Sequence, residues 1–173
     1  HLDTDLPSAR RSKICNTVRE QLHHMEALVT SMLSFVKGGN TPTEQVCLEE
    51  VIADAVHACS AEIDKSNAVV NIESCGHEPQ ILGHHDALVA AITTLISNAI
   101  EHSGAKPRID IWLSAVSERM ALIQVSDKGC GIAPHDIERV FDPFYTTRAN
   151  GTGLGLAVVA STISKHGGTI HAG

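Results

Sequence analysis

Three groups of residues have types and spacing suited to chemistry as well as to packing. Thr94, Asn98, Glu101 and His102 recur every three or four positions. On a helix they share one polar stripe, beside an apolar face made by Leu88, Ile92, Leu95 and Ala99. The Asn98 carboxamide offers a hard oxygen of the kind Mg²⁺ prefers, although any solvated amphipathic helix also presents a polar stripe. The second group, Asp127-Lys128-Gly129-Cys130-Gly131-Ile132, directly follows a strand-like run. Its glycines permit a tight turn and a close approach of backbone to ligand, and its carboxylate can accept a hydrogen bond from an exocyclic amine such as that of adenine. A plain Asp/Gly turn has the same pattern. The third group, Asn150-Gly151-Thr152-Gly153-Leu154-Gly155-Leu156, opens an apolar helix carrying Leu156, Val159 and Ile163. Glycines at a helix start leave N–H groups unpaired at the positive end of the dipole, which suits phosphates or else leaves a loop with no ligand. Neither standard phosphate loop fits, since no Gly-Lys pair occurs and G-x-G-x-x-G fails at Leu156.

The elements that must hold these groups follow from the apolar periodicity. Cys15, Val18, Leu22, Met25, Val29, Met32 and Val36 form a heptad seam that predicts one long helix from Ser12 to Lys37, closed by Gly38-Gly39. After Pro42 short β-like runs alternate with helices. A strand is expected over Gln45 to Leu48, a helix over Glu49 to Asp64, and strands over Ala68 to Glu73 and Pro79 to Leu82. Gly83 to His102 reads as a helix. Pro107 to Val116 and Arg119 to Val125 read as a hairpin, turning near Ser117-Glu118. A short helix from Pro134, a helix ending at His166 and a final strand over Thr169 to Gly173 complete the expectation.

Composition narrows the classes of function. The 173 residues carry a net charge of −7, so the sequence-independent attraction to nucleic-acid phosphates or anionic lipid is missing. Neither nucleic acid nor a membrane surface is an expected partner. Apolar residues make up 43% and aromatic residues 3% of the chain, which predicts a globular domain with an aliphatic core. The longest weakly polar run, Ala87 to Ile100, is too short to span a bilayer. Five cysteines without a C-x-x-C pattern fit reduced thiols, and a cytoplasmic location, better than disulfides or zinc. Eleven histidines, with His77, His84 and His85 grouped, show no H-x-x-x-H spacing for a metal. The chain begins without Met and stops within a strand-like run, so a fragment of a longer protein is expected.

In this order, and each on its expected element, the groups resemble the ATP-binding domain of sensor histidine kinases, within the wider family of DNA gyrase, the Hsp90 chaperones and mismatch-repair ATPases. Asn98-Ala99-Ile100-Glu101-His102 resembles the asparagine box, Asp127 to Ile132 the first glycine box, Phe141-Asp142-Pro143-Phe144-Tyr145-Thr146-Thr147 the phenylalanine box, and Gly151 to Leu156 the second glycine box. The helix ending in Phe35-Val36-Lys37-Gly38 is similar to the second helix of the dimerisation and phosphotransfer bundle. The short Phe144 to Gly151 segment and Gln21-Leu22-His23-His24-Met25-Glu26 resemble kinases of the nitrogen-regulation or flagellar-regulation type.

The resemblance implies an α/β fold: a two-layer α/β sandwich, a mixed sheet covered by helices of the Bergerat ATP-binding type, preceded by one long bundle helix. Residues 1–39 would be that helix and 40–173 the catalytic domain, its last strand truncated. ATP and Mg²⁺ are the implied cofactors, with Asn98 as metal ligand and Asp127 holding the adenine amine. Gly129 and Gly131 would shape the base pocket, Gly153 to Leu156 would cradle the phosphates, Tyr145 to Asn150 would form a short lid, and Arg148 would reach the γ-phosphate. The implied nucleotide contacts are Asn98, His102, Asp127, Gly129, Gly131, Ile132, Phe144, Thr147, Arg148, Gly151, Thr152, Gly153, Leu154, Gly155 and Leu156. Implied partners are a response-regulator receiver domain and a second copy through the bundle, in a parent that is either soluble or membrane-anchored.

The implied activity is transfer of the ATP γ-phosphoryl group to a histidine on a bundle helix absent from this chain. Two positions depart from the family pattern: Thr94, where a second Asn is common, and Glu101, where Lys is frequent. Gyrase-type hydrolysis needs a Glu as general base at the position of Thr94, which counts against it. A non-catalytic nucleotide-binding or protein-interaction module of the same superfamily remains the alternative.

Overall fold

The structure is a computed structural model, and it describes residues 44–75, 80–117, 120–148 and 151–173. The expected heptad helix, the Gly38-Gly39 break and the boundary at residue 39 lie outside the described residues, as do Pro79, Glu118, Arg119 and Asn150.

The elements are β1 (Glu44–Cys47), α1 (Leu48–Ala58), α2 (Ser60–Ser66), β2 (Val69–Cys75), β3 (Gln80–Gly83), α3 (His85–His102), β4 (Arg108–Ser117), β5 (Met120–Asp127) and α4 (Gly155–Lys165). They build the expected α/β architecture with a mixed sheet. β2 runs parallel to β4, with α3 in the crossover between them, and β4 runs antiparallel to β5, giving the order β2-β4-β5. β1 and β3 stand apart as an antiparallel ribbon.

Alternation along β4 decides which face of the sheet carries the helices. Ile109, Ile111 and Leu113 are fully buried, and Val70, Ile72, Val125 and Ile123 stand opposite them on the same face. Each buried aliphatic side chain contributes about 1.5–3 kcal/mol. The other face is polar: Asn71 Nδ2 donates to Asp110 Oδ1 at 2.6 Å and Trp112 Nε1 to Glu73 Oε2 at 3.2 Å.

α3 is the central helix. Its buried residues Leu88, Ala91, Ile92, Ile96, Ala99 and Ile100 keep three- and four-residue steps, and it packs against α1, α4, β4 and β5.

Three expectations need correction. The helix expected over Glu49 to Asp64 is two helices, because Cys59 leaves helical geometry at ψ 1° while burying its side chain toward α3. No helix forms from Pro134. Asp136 N donates to Ala133 O, Arg139 N to Asp136 O and Asp142 N to Arg139 O, all i→i+3 turns, with a single i→i+4 bond, Val140 N to Asp136 O, among them. These bonds leave the segment as consecutive turns, and Pro143, which has no N–H to donate, cannot extend them. The run Thr169 to Gly173, expected as a strand, pairs with none of the described strands.

Candidate functional site

The polar stripe of α3 is the line on which the other groups converge. Thr94 and Asn98 are half-buried, whereas Glu101 and His102 are exposed. Each of the first glycine turn, the segment before residue 149 and the start of α4 meets this stripe through a named contact.

Gly129 lies at the C-terminal end of α3. A Cβ there would fall 2.6 Å from the His102 backbone oxygen and 2.6 Å from Asp127 Oδ1, so a side chain at 129 would force β5 and α3 apart. Asp127 Oδ1 accepts a hydrogen bond from Gly129 N at 2.7 Å. This internal bond closes the turn and leaves Oδ2 for a ligand. Gly131 has φ +69° but open space around it, and Ile132 is 40% exposed beside it.

The start of α4 meets α3 at Thr94, whose Cγ2 would lie 3.2 Å from a Cβ on Gly155. No side chain caps α4 and no acidic residue occupies its first turn, so its positive end is open to an anion. Leu154 differs from expectation: its side chain is buried, and its N–H donates to Thr152 Oγ1 at 3.2 Å. The Leu154 N–H is thereby engaged inside the loop, whereas no side chain caps the first turn of α4 that follows it. Gly153, with φ +64°, touches the phenylalanine segment, its carbonyl accepting the Phe144 N–H at 2.8 Å.

Arg148 carries the third contact with the stripe. Its Nη1 donates to Glu101 Oε2 across the stripe. Its backbone is fixed as well, the N–H donating to Thr146 Oγ1 at 3.1 Å and the carbonyl accepting from Gly151 N at 3.2 Å. Between these contacts, Asn98 has no hydrogen-bonding partner among the described residues. A half-buried carboxamide with a free oxygen fits a divalent cation bound on a polyphosphate. Thr94 Oγ1 donates to Ala90 O at 2.9 Å and offers no base for water. Thr147 and Phe144 are exposed, Phe144 at 68%, and neither side chain joins the stripe through a described contact.

Sequence reasoning missed three features. The Glu101–Arg148 pair joins a departure from the family pattern to the residue expected at the γ-phosphate. Tyr145 donates its hydroxyl to Asp136 Oδ1 and lies under Arg139, with the guanidinium carbon 4.3 Å from the ring centroid; the bond to Asp136 raises the Tyr145 pKa above its ordinary value. His166 locks the end of α4 to the start of α3, accepting the His84 N–H at Nε2.

Residues 83–173 match the family model of histidine kinase-, DNA gyrase B- and HSP90-like ATPases, more than half of the chain. The chain therefore belongs to this ATPase family, on its sensor histidine kinase branch. It is 28% identical over 158 residues to the sensor histidine kinase ZraS of Salmonella typhimurium, covering 91% of this chain and 34% of that protein. It is 32% identical over 147 residues to the sensor protein kinase FleS of Pseudomonas aeruginosa, covering 85% of this chain and 36% of that protein. Among solved structures, a mycobacterial sensor histidine kinase, MprB, aligns with a TM-score of 0.64 at 27% identity over 72% of this chain and 80% of that one. The chain spans about a third of the length of the curated relatives it matches. No helix among the described residues is long and apolar enough to cross a membrane.

Proposed function

We propose that this chain binds Mg²⁺-ATP and presents the γ-phosphoryl group to a histidine of a dimerisation bundle, as the catalytic part of a two-component sensor histidine kinase. The observation that carries the reading is the meeting of three loop segments on one stripe of α3 around the unpartnered Asn98. The free Asp127 oxygen accepts the adenine amine, and the uncapped start of α4 receives the phosphates. Mg²⁺ held through the Asn98 oxygen would neutralise phosphate charge, the main requirement of phosphoryl transfer. On this reading His102, Gly131 and Ile132 would serve the base and Thr147, Arg148, Gly151 and Thr152 the phosphates, with Phe144 tied by its backbone to Gly153. Residues 1–39 supply one bundle helix, through which two copies pair. The acceptor of the onward phosphoryl group is a response-regulator receiver domain, and the relatives named as sensor kinases support that reading.

The test is nucleotide titration. ATP should bind better than GTP, because guanine places an acceptor where Asp127 needs a donor. Asp127→Asn should remove about 1–3 kcal/mol of that selectivity. Equal binding of ATP and GTP by the wild-type chain would contradict the adenine pocket. Binding without any phosphotransfer to a supplied bundle would favour the non-catalytic module instead.

A further inference from the structure

We infer that Glu101 sets the affinity of the site for a nucleoside triphosphate by competing with its terminal phosphate for the Arg148 guanidinium. The inference rests on the nucleotide-site reading above and concerns a position where the family more often carries the opposite charge.

Glu101 lies three residues after Asn98, close to it on the helix surface. Arg148 Nη1 donates to its Oε2. Both side chains are partly exposed, Arg148 at 44% and Glu101 at 38%, so the guanidinium can leave the carboxylate without unpacking the core. The Arg148 backbone is tied on both sides by the Thr146 hydroxyl and the Gly151 N–H. Exchange of partners is therefore a side-chain rotation about a fixed anchor.

Guanidinium binds carboxylate and phosphate through the same planar N–H geometry. A terminal phosphate carries more charge than one carboxylate and prevails once it is within reach, but breaking the Glu101 pair subtracts from the gain. That cost falls only on a ligand that recruits Arg148. ATP does so with its third phosphate; ADP, one phosphoryl group shorter, leaves Arg148 on Glu101. Glu101 thus narrows the margin of ATP over ADP, which keeps the triphosphate exchangeable.

The experiment is calorimetric titration of the full 173-residue chain with ATP and with ADP in the presence of Mg²⁺. The wild type is compared with Glu101→Gln, Arg148→Gln and the double variant. The scale of an exposed ion pair sets the expectation: Glu101→Gln tightens ATP about two- to fivefold at low salt and changes ADP by less than about twofold. Raising the salt concentration should shrink the ATP effect. In the Arg148→Gln background, Glu101→Gln should no longer tighten ATP, which a purely structural role for Glu101 does not predict. The inference is overturned if Glu101→Gln weakens ATP or leaves it unchanged. Equal tightening of ATP and ADP also overturns it, because general charge repulsion would then suffice. A wild-type chain that binds neither nucleotide overturns the site reading and this inference together.

Discussion

Gly153 sits against the backbone of Phe144, accepting its N–H at 2.8 Å, so closely that a Cβ on Gly153 would lie 2.3 Å from the Phe144 carbonyl carbon. This contact joins the phenylalanine segment to the loop that opens α4. Gly153 also has φ +64°, so Gly153→Ala should cost about 1–2 kcal/mol from the left-handed backbone alone. The clash adds to that cost, since backbone on both sides must move. Gly131 supplies the comparison, with φ +69° and nothing near its missing side chain. Denaturant unfolding should show a clearly larger loss for Gly153→Ala than for Gly131→Ala, and ATP binding should weaken in the former. Equal losses in the two variants would refute the Phe144 contact as the cause.

His166 holds the far end of α4. Its Nε2 accepts the His84 N–H at 3.0 Å, and its Nδ1 lies 2.7 Å from Thr162 O, which places the ring proton on Nδ1. Gly83 leaves space for the ring, since a Cβ there would come within 3.0 Å of His166 Cδ2. His166→Ala should therefore cost about 1–3 kcal/mol, because the half-buried His84 N–H loses this acceptor. The urea midpoint should fall with the m-value unchanged. An unaltered midpoint would mean the ring carries no load between α3 and α4.

How far the sequence revealed this arrangement depends on the range of the interaction. α3 and the β4–β5 hairpin are readable because their signals are local: apolar steps of three and four from Leu88 to Ile100, and alternating apolar residues from Ile109 to Leu113. The glycines of the site are readable as turns, and their order as a family pattern. The Glu101–Arg148 pair is not, since its partners are 47 positions apart and nothing local ties them. Nor does composition show that Asp127 spends one oxygen on its own turn. The break at Cys59 was hidden because the apolar period runs through it, and only packing toward Thr93 and Ser97 ends α1 there.

Tyr145 gives a pH-dependent signature. Its hydrogen bond to Asp136 raises its pKa above the ordinary 10.0; burial and the Asp136 charge act in the same direction, Arg139 opposes them and Asp142 adds to the rise. The folded value exceeds the unfolded one. The stability it confers is therefore complete below the unfolded pKa and is lost as pH rises through the folded pKa. Tyr145 is the single tyrosine, so phenolate absorbance reports on it alone. The titration midpoint should lie above that of a tyrosine peptide, and Asp136→Asn should bring it down. A folded chain whose phenol titrates like the peptide would rule the contact out.

The final prediction concerns the phosphoryl acceptor. Acceptor histidines of the resembling kinases lie in a pattern similar to H-E-x-x-x-P, and none of the eleven histidines here begins it. His23 and His24, outside the described residues, have Glu26 nearby in sequence, but the expected heptad would put Leu22 and Met25 in the seam and both histidines on its flank. Positioning supplies most of the rate in such a transfer, so a histidine that is not carried to the γ-phosphate should stay unmodified even with ATP bound. Incubation with γ-labelled ATP and Mg²⁺ should leave this chain unlabelled, while a bundle helix bearing the acceptor pattern, added on a separate chain, becomes labelled once docked. Acid-labile label on His23 or His24 of the isolated chain would show that the acceptor lies within these residues after all.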